Sequence, residues 1–256
     1  MADLVVISQS EGILRLRVNR PEKKNALTRA MYQTLADALD RADDDGAIRV
    51  ITITGTGDVF TSGNDLGDFL DGGSLDADSP VLRFLGAIAR ARKPLIAGVN
   101  GLAVGIGVTM LLHCDIVYAA EEASFLLPFV NLGLVPEAAS SLLLPRLVGH
   151  QRAAELLFFG NKFDAKTAFA VGLVNAVHPR SALDEVLEKS AATLAAKPPT
   201  SLRLTKELLK SGLAPAITAR MAEEGGHVRR MLQSPEAREA MQAILEKRPP
   251  DFRKFA

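Results

Sequence analysis

Residues 94–120 read PLIAGVNGLAVGIGVTMLLHCDIVYAA and decide the architecture that the sequence predicts. The apolar runs 94–100 and 114–120 have the composition of buried strands, and the segment between them leaves room for a helix of about six to eight residues. A third such run, 48–54, precedes a helical pattern at 80–92. Because strands that alternate with helical segments are joined by crossovers, the pattern predicts an α/β fold with a largely parallel sheet buried on both faces.

The flanking regions extend this core. The β-branched run 4–7 and the alternating run 13–18 predict an opening β-hairpin, and residues 29–42 predict an amphipathic helix with Thr28 as its N-cap. Beyond residue 150 the pattern becomes helical, with helices expected at 151–159, 165–170, 181–196, 200–211 and 215–246 and one strand at 173–177. We therefore divide the chain into an α/β core, residues 1–196, and a C-terminal helical region, residues 197–256, whose apolar faces would be covered by self-association.

Composition excludes several classes of function. Thirty Lys and Arg balance thirty Asp and Glu, so no net positive charge favours nucleic acid or an anionic membrane. The single cysteine, Cys114, cannot form an intrachain disulfide, and no two of the four histidines lie at i, i+4, so we expect no metal site. His113 and Cys114 fit a core histidine and a packed thiol. The sequence has no signal-peptide pattern and no membrane-spanning apolar stretch, and we expect a cytoplasmic protein.

Two glycine-containing segments, 60–66 and 100–107, each follow a predicted strand. Apolar residues that could begin a helix come next, at Leu66 and at Val108. Helices that open at the carboxyl edge of a parallel sheet present free backbone N–H groups, and two such openings could hold one carbonyl oxygen between them. Negative charge developing on that oxygen would be stabilised.

Two other interpretations of these glycines stay open. They could serve only tight turns and close packing of strand on helix. Gly105-x-Gly107 with Glu121 at the end of the next strand could instead form a dinucleotide site. Met110 stands at the third glycine position of that motif, and the helix between the strands is unusually short for it.

Glu137 is a lone carboxylate in the otherwise apolar and small-residue segment LGLVPEAASS, residues 132–141. Pro136 at the first helical position with Glu137 behind it would also make a good helix start, which is a purely structural explanation. If Glu137 instead faces an apolar pocket, desolvation would raise its pKa and suit it to take and return a proton.

The chain resembles the crotonase (enoyl-CoA hydratase/isomerase) superfamily from about residue 4 to 248. The resemblance is carried by Asn25-Ala26-Leu27 after Arg20-Pro21, by 60–66 (FTSGNDL), by 93–107 (KPLIAGVNGLAVGIG), by 114–119 (CDIVYA) and by 170–174 (AVGLV). It implies a spiral of β-β-α turns, a homotrimer or a dimer of trimers, and acyl-CoA thioester substrates whose enolates are stabilised. Coenzyme A would then be part of the substrate, with no separate cofactor.

The resemblance also assigns residues. The two backbone N–H groups of the family's oxyanion hole carry over onto Asn64 and Ile106, within the two glycine segments. The CoA-contacting positions carry over onto Ser62, Gly63, Asn64, Asp65 and Leu66. For the side chain of Asp65 we favour a structural role as an N-cap before Leu66.

The subfamily is indicated by two positions at which the chain departs from the hydratase pattern. Hydratases of this family carry two catalytic glutamates, and Thr109 and Phe129 occupy those positions here. The segments 62–66 and 131–141 resemble instead the peroxisomal-type Δ3,Δ2-enoyl-CoA isomerases, in which the glutamate equivalent to Glu137 is the single base. The resemblance thus implies an isomerase that moves a double bond from C3 to C2 in fatty acid β-oxidation.

Alternatives to this function are another crotonase reaction, such as hydration, dehalogenation or thioester hydrolysis, and an acyl-CoA binding subunit without chemistry. We expect Phe129, together with residues 125–127, to line an apolar acyl pocket that keeps Glu137 dry. Ordinary core packing would explain these side chains equally well.

Overall fold

The computed structural model of the chain describes residues 3–65, 67 and 79–255. Strands in this part of the chain form two sheets. The strands are β1 Val5–Ser10, β2 Ile13–Val18, β3 Val50–Gly55, β4 Val59–Thr61, β5 Leu95–Val99, β6 Leu102–Val104, β7 Ile116–Ala120, β8 Ser124–Leu126, β9 Phe163–Asp164 and β10 Ala176–His178.

The larger sheet has the order β1-β2-β3-β5-β7-β10 and the smaller sheet β4-β6-β8-β9. The β1–β2 pair is the predicted antiparallel hairpin, with Val5 opposite Val18. The pairs β2–β3, β3–β5, β5–β7 and β7–β10 are parallel. The α/β architecture with a largely parallel sheet is therefore confirmed.

Consecutive strands divide between the two sheets in a regular way. In each of the pairs β3–β4, β5–β6 and β7–β8 the first strand lies in the larger sheet and the second in the smaller one. Each pair is followed along the chain by helical structure, so the chain advances as the spiral of β-β-α turns that the resemblance implied. As a result the ends of β4, β6 and β8 lie side by side, which brings the two glycine segments together.

The described helices are α1 Arg29–Asp44, α2 Pro80–Arg90, α3 Ile106–Thr109, α4 Ser140–Val148, α5 His150–Phe159, α6 Ala165–Ala170, α7 Arg180–Ala195, α8 Pro199–Ser211, α9 Ala214–Met231 and α10 Pro235–Leu245. Thr28 caps α1 as predicted, because its side chain accepts a hydrogen bond from the backbone N–H of Met31. The single helix predicted at 215–246 is wrong. Ser234 caps a new helix with Pro235 at its first position, and this divides the segment into α9 and α10.

The C-terminal helices pack on the α/β core through polar as well as apolar contacts. The ammonium group of Lys206 on α8 lies 2.6 Å from Asp115 Oδ2 and donates to the carbonyl of Lys93. A Cβ built at Gly133 would lie 2.8 Å from the backbone nitrogen of Ala237 on α10, so that approach requires glycine. The helical region thus covers part of the core of its own chain. In the described part of the chain no helix is both long and apolar enough to span a membrane.

Candidate active site

A cavity of about 750 Å³ lies between the carboxyl ends of the smaller sheet and the C-terminal helices. Its walls come from both glycine segments, from the stretch 126–137 and from α9 and α10. The described lining residues are Lys23, Lys24, Ala26, Ser62, Gly63, Asn64, Asp65, Gly67, Val104, Gly105, Ile106, Leu126, Pro128, Phe129, Leu132, Leu134, Val135, Glu137, Val228, Met241 and Ile244. Four of the five predicted CoA-contacting residues are among them, and the fifth, Leu66, lies outside the described residues.

The first glycine segment leaves a backbone N–H free at the cavity. The backbone of Leu27 bonds to both neighbours of Asn64, donating to Gly63 O at 2.8 Å and accepting from Asp65 N at 2.9 Å. In this parallel bridge the N–H of Asn64 itself points away from Leu27. Among the described residues it has no hydrogen-bond partner.

The second glycine segment presents its N–H through a helix start. Gly105 donates to Leu126 O at 2.9 Å and accepts from the first turn of α3. The helix begins at Ile106, two residues earlier than the predicted start at Val108, because Gly105 with φ 55° makes the sharp turn that β6 needs to enter it. The N–H of Ile106, the first helical residue, precedes these bonds and has no partner within the helix, and Ile106 lines the cavity.

Close packing at Gly63 and Gly107 holds the two segments together. A Cβ built at Gly63 would lie 3.1 Å from the carbonyl oxygen of Val104, and one built at Gly107 would lie 2.7 Å from Thr61 Cγ2. The glycines therefore do serve close packing, and the same packing sets the two free N–H groups on one cavity. The two interpretations of these glycines are complementary.

The side chain of Asn64 is held from behind by Tyr32. The Tyr32 hydroxyl donates to Asn64 Oδ1, and the phenol ring is buried against Phe84 at a centroid distance of 5.5 Å. Burial, and then the nearby charge of Glu137, raise the pKa of Tyr32 well above its usual value, so it stays a donor. The sequence gives no sign of this role for Tyr32, because nothing in an amphipathic helix distinguishes it from a packed aromatic residue.

Asp65 pairs with a cation. Its carboxylate lies 2.5 Å from the guanidinium of Arg20, whose second contact is the carbonyl of Ala26. The capping role predicted for Asp65 concerns a helix start that lies outside the described residues. The ion pair joins the Arg20-Pro21 turn to the first glycine segment.

Glu137 also lines the cavity, three residues before α4 begins at Ser140. The chain turns sharply there, with Ala138 at φ 60° and Ala139 at φ 55°, and α4 begins at Ser140. The structural explanation in which Pro136 starts a helix is therefore wrong, since two left-handed residues separate Glu137 from the helix. The side chain is partly buried at the junction of the large cavity and a small apolar crevice.

The surroundings of Glu137 disfavour its charged form. Val81, Leu85 and Val228 line the crevice beside it. Burial, and then the negative charge of Glu224 on α9, raise the pKa of Glu137 to about 7. A carboxyl group with such a pKa accepts and returns a proton at neutral pH.

The two positions at which the resemblance places the glutamates of hydratases lack a carboxylate, because they are occupied by Thr109 and Phe129. Thr109 is fully buried, and Phe129 lines the cavity with little exposure. Leu126 lines the cavity too, whereas Phe125 and Leu127 pack in the core, Phe125 stacked on Phe163. The predicted acyl pocket thus receives two of the four expected side chains from this stretch, and core packing explains the other two.

Several lining residues escaped prediction. The pair Lys23-Lys24 directly precedes the Asn25-Ala26-Leu27 motif. Two adjacent lysines beside a family motif could have indicated a binding site for an anionic group. Met241 and Ile244 come from α10, and their place at the cavity depends on how the C-terminal helices fold back. His113 is a core histidine as predicted, and its Nε2 lies 2.8 Å from the carbonyl oxygen of Ala138.

Comparison with known proteins shows the family of the chain. The sequence model of enoyl-CoA hydratase/isomerase matches residues 8–254. The chain belongs to the enoyl-CoA hydratase/isomerase family. It is therefore an enzyme of this family, as the resemblance implied, and family membership disfavours the dinucleotide-site alternative.

Individual members of the enoyl-CoA hydratase/isomerase family match most of the chain. Rat (Rattus norvegicus) enoyl-CoA delta isomerase 2 is 39% identical over 96% of the chain, which spans 64% of that relative's length. The 2,3-dehydroadipyl-CoA hydratase of Escherichia coli K12 is 34% identical over 99% of both proteins. The crystal structure of an enoyl-CoA hydratase/isomerase from Pseudoalteromonas atlantica T6c superposes with a TM-score of 0.94 at 42% identity, over 98% of this chain and 100% of the other. Since similar relatives include both isomerases and hydratases, membership alone does not choose the reaction.

Proposed function

We propose that the protein moves the double bond of a 3-enoyl-CoA thioester from C3 to C2. Glu137 is the base, and the N–H groups of Asn64 and Ile106 hold the thioester oxygen. The support is geometric, because the carboxyl group and the two free N–H groups border one cavity.

The reaction is a proton transfer in two steps. Glu137 removes a proton from C2, and the C–H electrons move into the thioester, which forms an enolate with negative charge on its oxygen. The protonated Glu137 then gives the proton to C4. The C3–C4 double bond electrons take up that proton, the enolate electrons form the C2–C3 double bond, and the thioester carbonyl is restored. No water is consumed and no cofactor besides the CoA of the substrate takes part.

The enolate oxygen requires stabilisation that the backbone can supply. Removing one such N–H donor typically costs about 2.7 to 4 kcal/mol of barrier. The base itself contributes roughly 10²- to 10⁴-fold. The N–H groups of Asn64 and Ile106 both belong to tightly packed backbone, so they need little reorganisation when negative charge develops on the thioester oxygen.

The observation that carries the proposal is the number of available carboxylates. Among the described residues that line the cavity, Asp65 and Glu137 carry one each. Asp65 is paired with Arg20, whereas Glu137 has a raised pKa and apolar neighbours. Adding water across a double bond calls for a second group to activate the water, and Thr109 and Phe129 do not supply one.

Positive charge at the mouth of the cavity suits binding of the CoA portion of the substrate. Lys23 and Lys24 are exposed at the cavity mouth and suit the phosphate groups of CoA. Ser62 and Gly63 lie between these lysines and the oxyanion donor of Asn64. We place the CoA arm along this path, with Phe129 on the acyl side.

We also propose self-association as a homotrimer or a dimer of trimers. Leu208 and Leu209 on α8 are each 79% exposed, and Leu204 is 47% exposed. A helix with several large apolar side chains in solvent favours a partner surface. Sedimentation equilibrium of the purified chain measures the assembly, and a monomer at all concentrations would contradict it.

The function is tested by a spectrophotometric assay with trans-3-hexenoyl-CoA, which follows the appearance of the conjugated 2-enoyl thioester. Hydration of a 2-enoyl-CoA is measured alongside. Glu137→Gln removes the base while keeping size, and Glu122→Gln is the control because Glu122 is an exposed carboxylate outside the cavity.

We expect isomerisation by the unmodified chain and by Glu122→Gln, with at least roughly 10²-fold loss in Glu137→Gln. CoA affinity should be retained in that variant. Hydration without isomerisation would overturn the single-base mechanism in favour of the hydratase alternative. Binding of acyl-CoA with neither activity would overturn the proposed reaction.

A further inference from the structure

A second buried carboxylate, Glu224, lies behind the segment that carries Glu137. It belongs to α9 and is 5% exposed. Its Oε2 accepts from the backbone N–H of Ala139 at 2.6 Å. Its Oε1 accepts from the backbone N–H of Ser141 at 3.0 Å and from the Ser141 hydroxyl at 2.5 Å. Oε2 thus holds the turn between Glu137 and α4, and Oε1 holds the first turn of α4.

That turn is held in a conformation that L-residues rarely adopt. Ala138 and Ala139 are consecutive non-glycine residues in the left-handed region, where the Cβ atom of an L-residue lies too close to the following carbonyl oxygen. His113 binds the carbonyl oxygen of Ala138 from the core side, and Glu224 binds the N–H of Ala139 from the helix side. Such backbone persists where its surroundings fix it, and it commonly marks functional sites.

We propose that Glu224 is a positioning residue for the catalytic base, because it clamps the Ala138–Ala139 turn and so sets the direction in which Glu137 points into the cavity. This inference rests on the function proposed above. Glu224 does not border the cavity in the described residues and would act through Glu137.

Glu224 also acts on Glu137 by charge. Burial raises the pKa of Glu224, and its hydrogen bonds from Ser141 and Ala139 and the charge of Arg220 oppose that rise. The groups that face this pair are Tyr32 from α1, Arg220 from α9 and His113 from the core. Burial lowers the pKa of His113 to about 4, so it is neutral, and Tyr32 is neutral as well. The charge that opposes ionisation of Glu137 is therefore that of Glu224.

The test compares Glu224→Gln with Glu224→Asp in the full chain. Gln lacks the charge and one acceptor oxygen. We expect kcat to fall roughly 10- to 100-fold, since small misplacement of a reacting group has effects of that size. The acid limb of kcat/KM should move to lower pH, because the like charge is gone while burial remains. Asp keeps the charge but is one methylene shorter, so kcat should fall while the limb stays in place.

Glu223→Gln is the matched control. Glu223 precedes Glu224 on the same helix, is exposed and pairs with Arg220 at 3.4 Å, so its replacement removes one charge without touching the turn. It should leave both kcat and the acid limb unchanged. If Glu224→Gln does not fold, Glu224→Asp decides, because an unchanged kcat in that variant overturns the clamp.

A readout that needs no turnover separates this inference from the proposed function. Infrared difference spectra between each protein and its Glu137→Gln partner report protonation of the Glu137 carboxyl group as pH is changed. A downward shift of this titration in Glu224→Gln supports the coupling even if the chain catalyses another reaction. The same titration midpoint together with unchanged kcat would overturn the proposal.

Discussion

The hydroxyl of Tyr32 donates a hydrogen bond to the side-chain oxygen of Asn64, the residue whose backbone N–H faces the cavity. This contact ties the buried face of α1 to the first glycine segment. The ring of Tyr32 packs on Phe84 of α2, so two helices stand behind one proposed oxyanion donor. The position of that N–H depends on Tyr32, which is 32 places away in sequence.

Tyr32→Phe should reduce kcat more than it raises KM. The phenyl ring keeps the packing on Phe84, while the carboxamide of Asn64 loses its donor and its backbone is held less firmly. We expect a several-fold loss of kcat and about 1 kcal/mol of stability, the usual net value of one hydrogen bond. Steady-state kinetics and thermal unfolding measure the two effects.

Tyr118→Phe is the control for that variant. The Tyr118 hydroxyl accepts from Ser190 at 3.1 Å on the far side of the larger sheet. It should lose comparable stability and keep its kcat. Equal kcat in the unmodified chain and in Tyr32→Phe would show that Asn64 needs no support.

The activity should depend on pH through Glu137. The base must be ionised to remove a proton, and its pKa is raised to about 7, so kcat/KM should rise as pH increases through that value and then level off. Rates from weakly acid to weakly alkaline pH provide the profile. An acid limb near the ordinary glutamate value would mean that Glu137 is well solvated or is not the base.

Glu137→Gln should stabilise the substrate-free protein at alkaline pH. A raised pKa means that the folded state holds a proton which the unfolded state has released, so the native carboxylate destabilises the fold above pH 7. The gain is about 1 to 3 kcal/mol from a shift between 4.5 and about 7. It should vanish at pH values below 4.5, where both states are protonated. Melting temperatures across this range test it, and a variant that is less stable at alkaline pH would contradict it.

Gly63→Ala should damage catalysis beyond its cost in stability. Gly63 has φ 92°, and a Cβ there would lie 3.1 Å from the carbonyl oxygen of Val104, so the backbone next to Asn64 must shift. We expect at least roughly tenfold lower kcat/KM. Gly149→Ala is the control, with a similar φ of 81° and no described atom within 4 Å of the added Cβ. It should lose stability alone, and equal kcat/KM in both variants would argue against the oxyanion role of this segment.

Local sequence patterns predicted the elements well wherever one rule decides them. Thr28 caps α1, and the alternation in 13–18 gives a strand whose partner is the preceding run. The errors fell where two rules compete. Pro136 followed by Glu137 satisfies the rule for a helix start, yet the left-handed turn at Ala138 and Ala139 delays α4 to Ser140, because contacts from His113 and Glu224 outweigh local preference.

The sequence by itself determined the α/β class, the two glycine segments and the lone carboxylate at 137, since each follows from residue types at short spacing. It also determined the family, through motifs whose resemblance extends over nearly the whole chain. Only the tertiary structure decided that Asn64 rests on Tyr32, that Glu137 has a raised pKa, and that Glu224 reaches back from α9 to the turn. Contacts between residues 32 and 64 or 139 and 224 depend on how helices pack, and desolvation depends on everything that surrounds a group. Neither these long-range contacts nor the desolvation of a group produces a periodic pattern in the sequence.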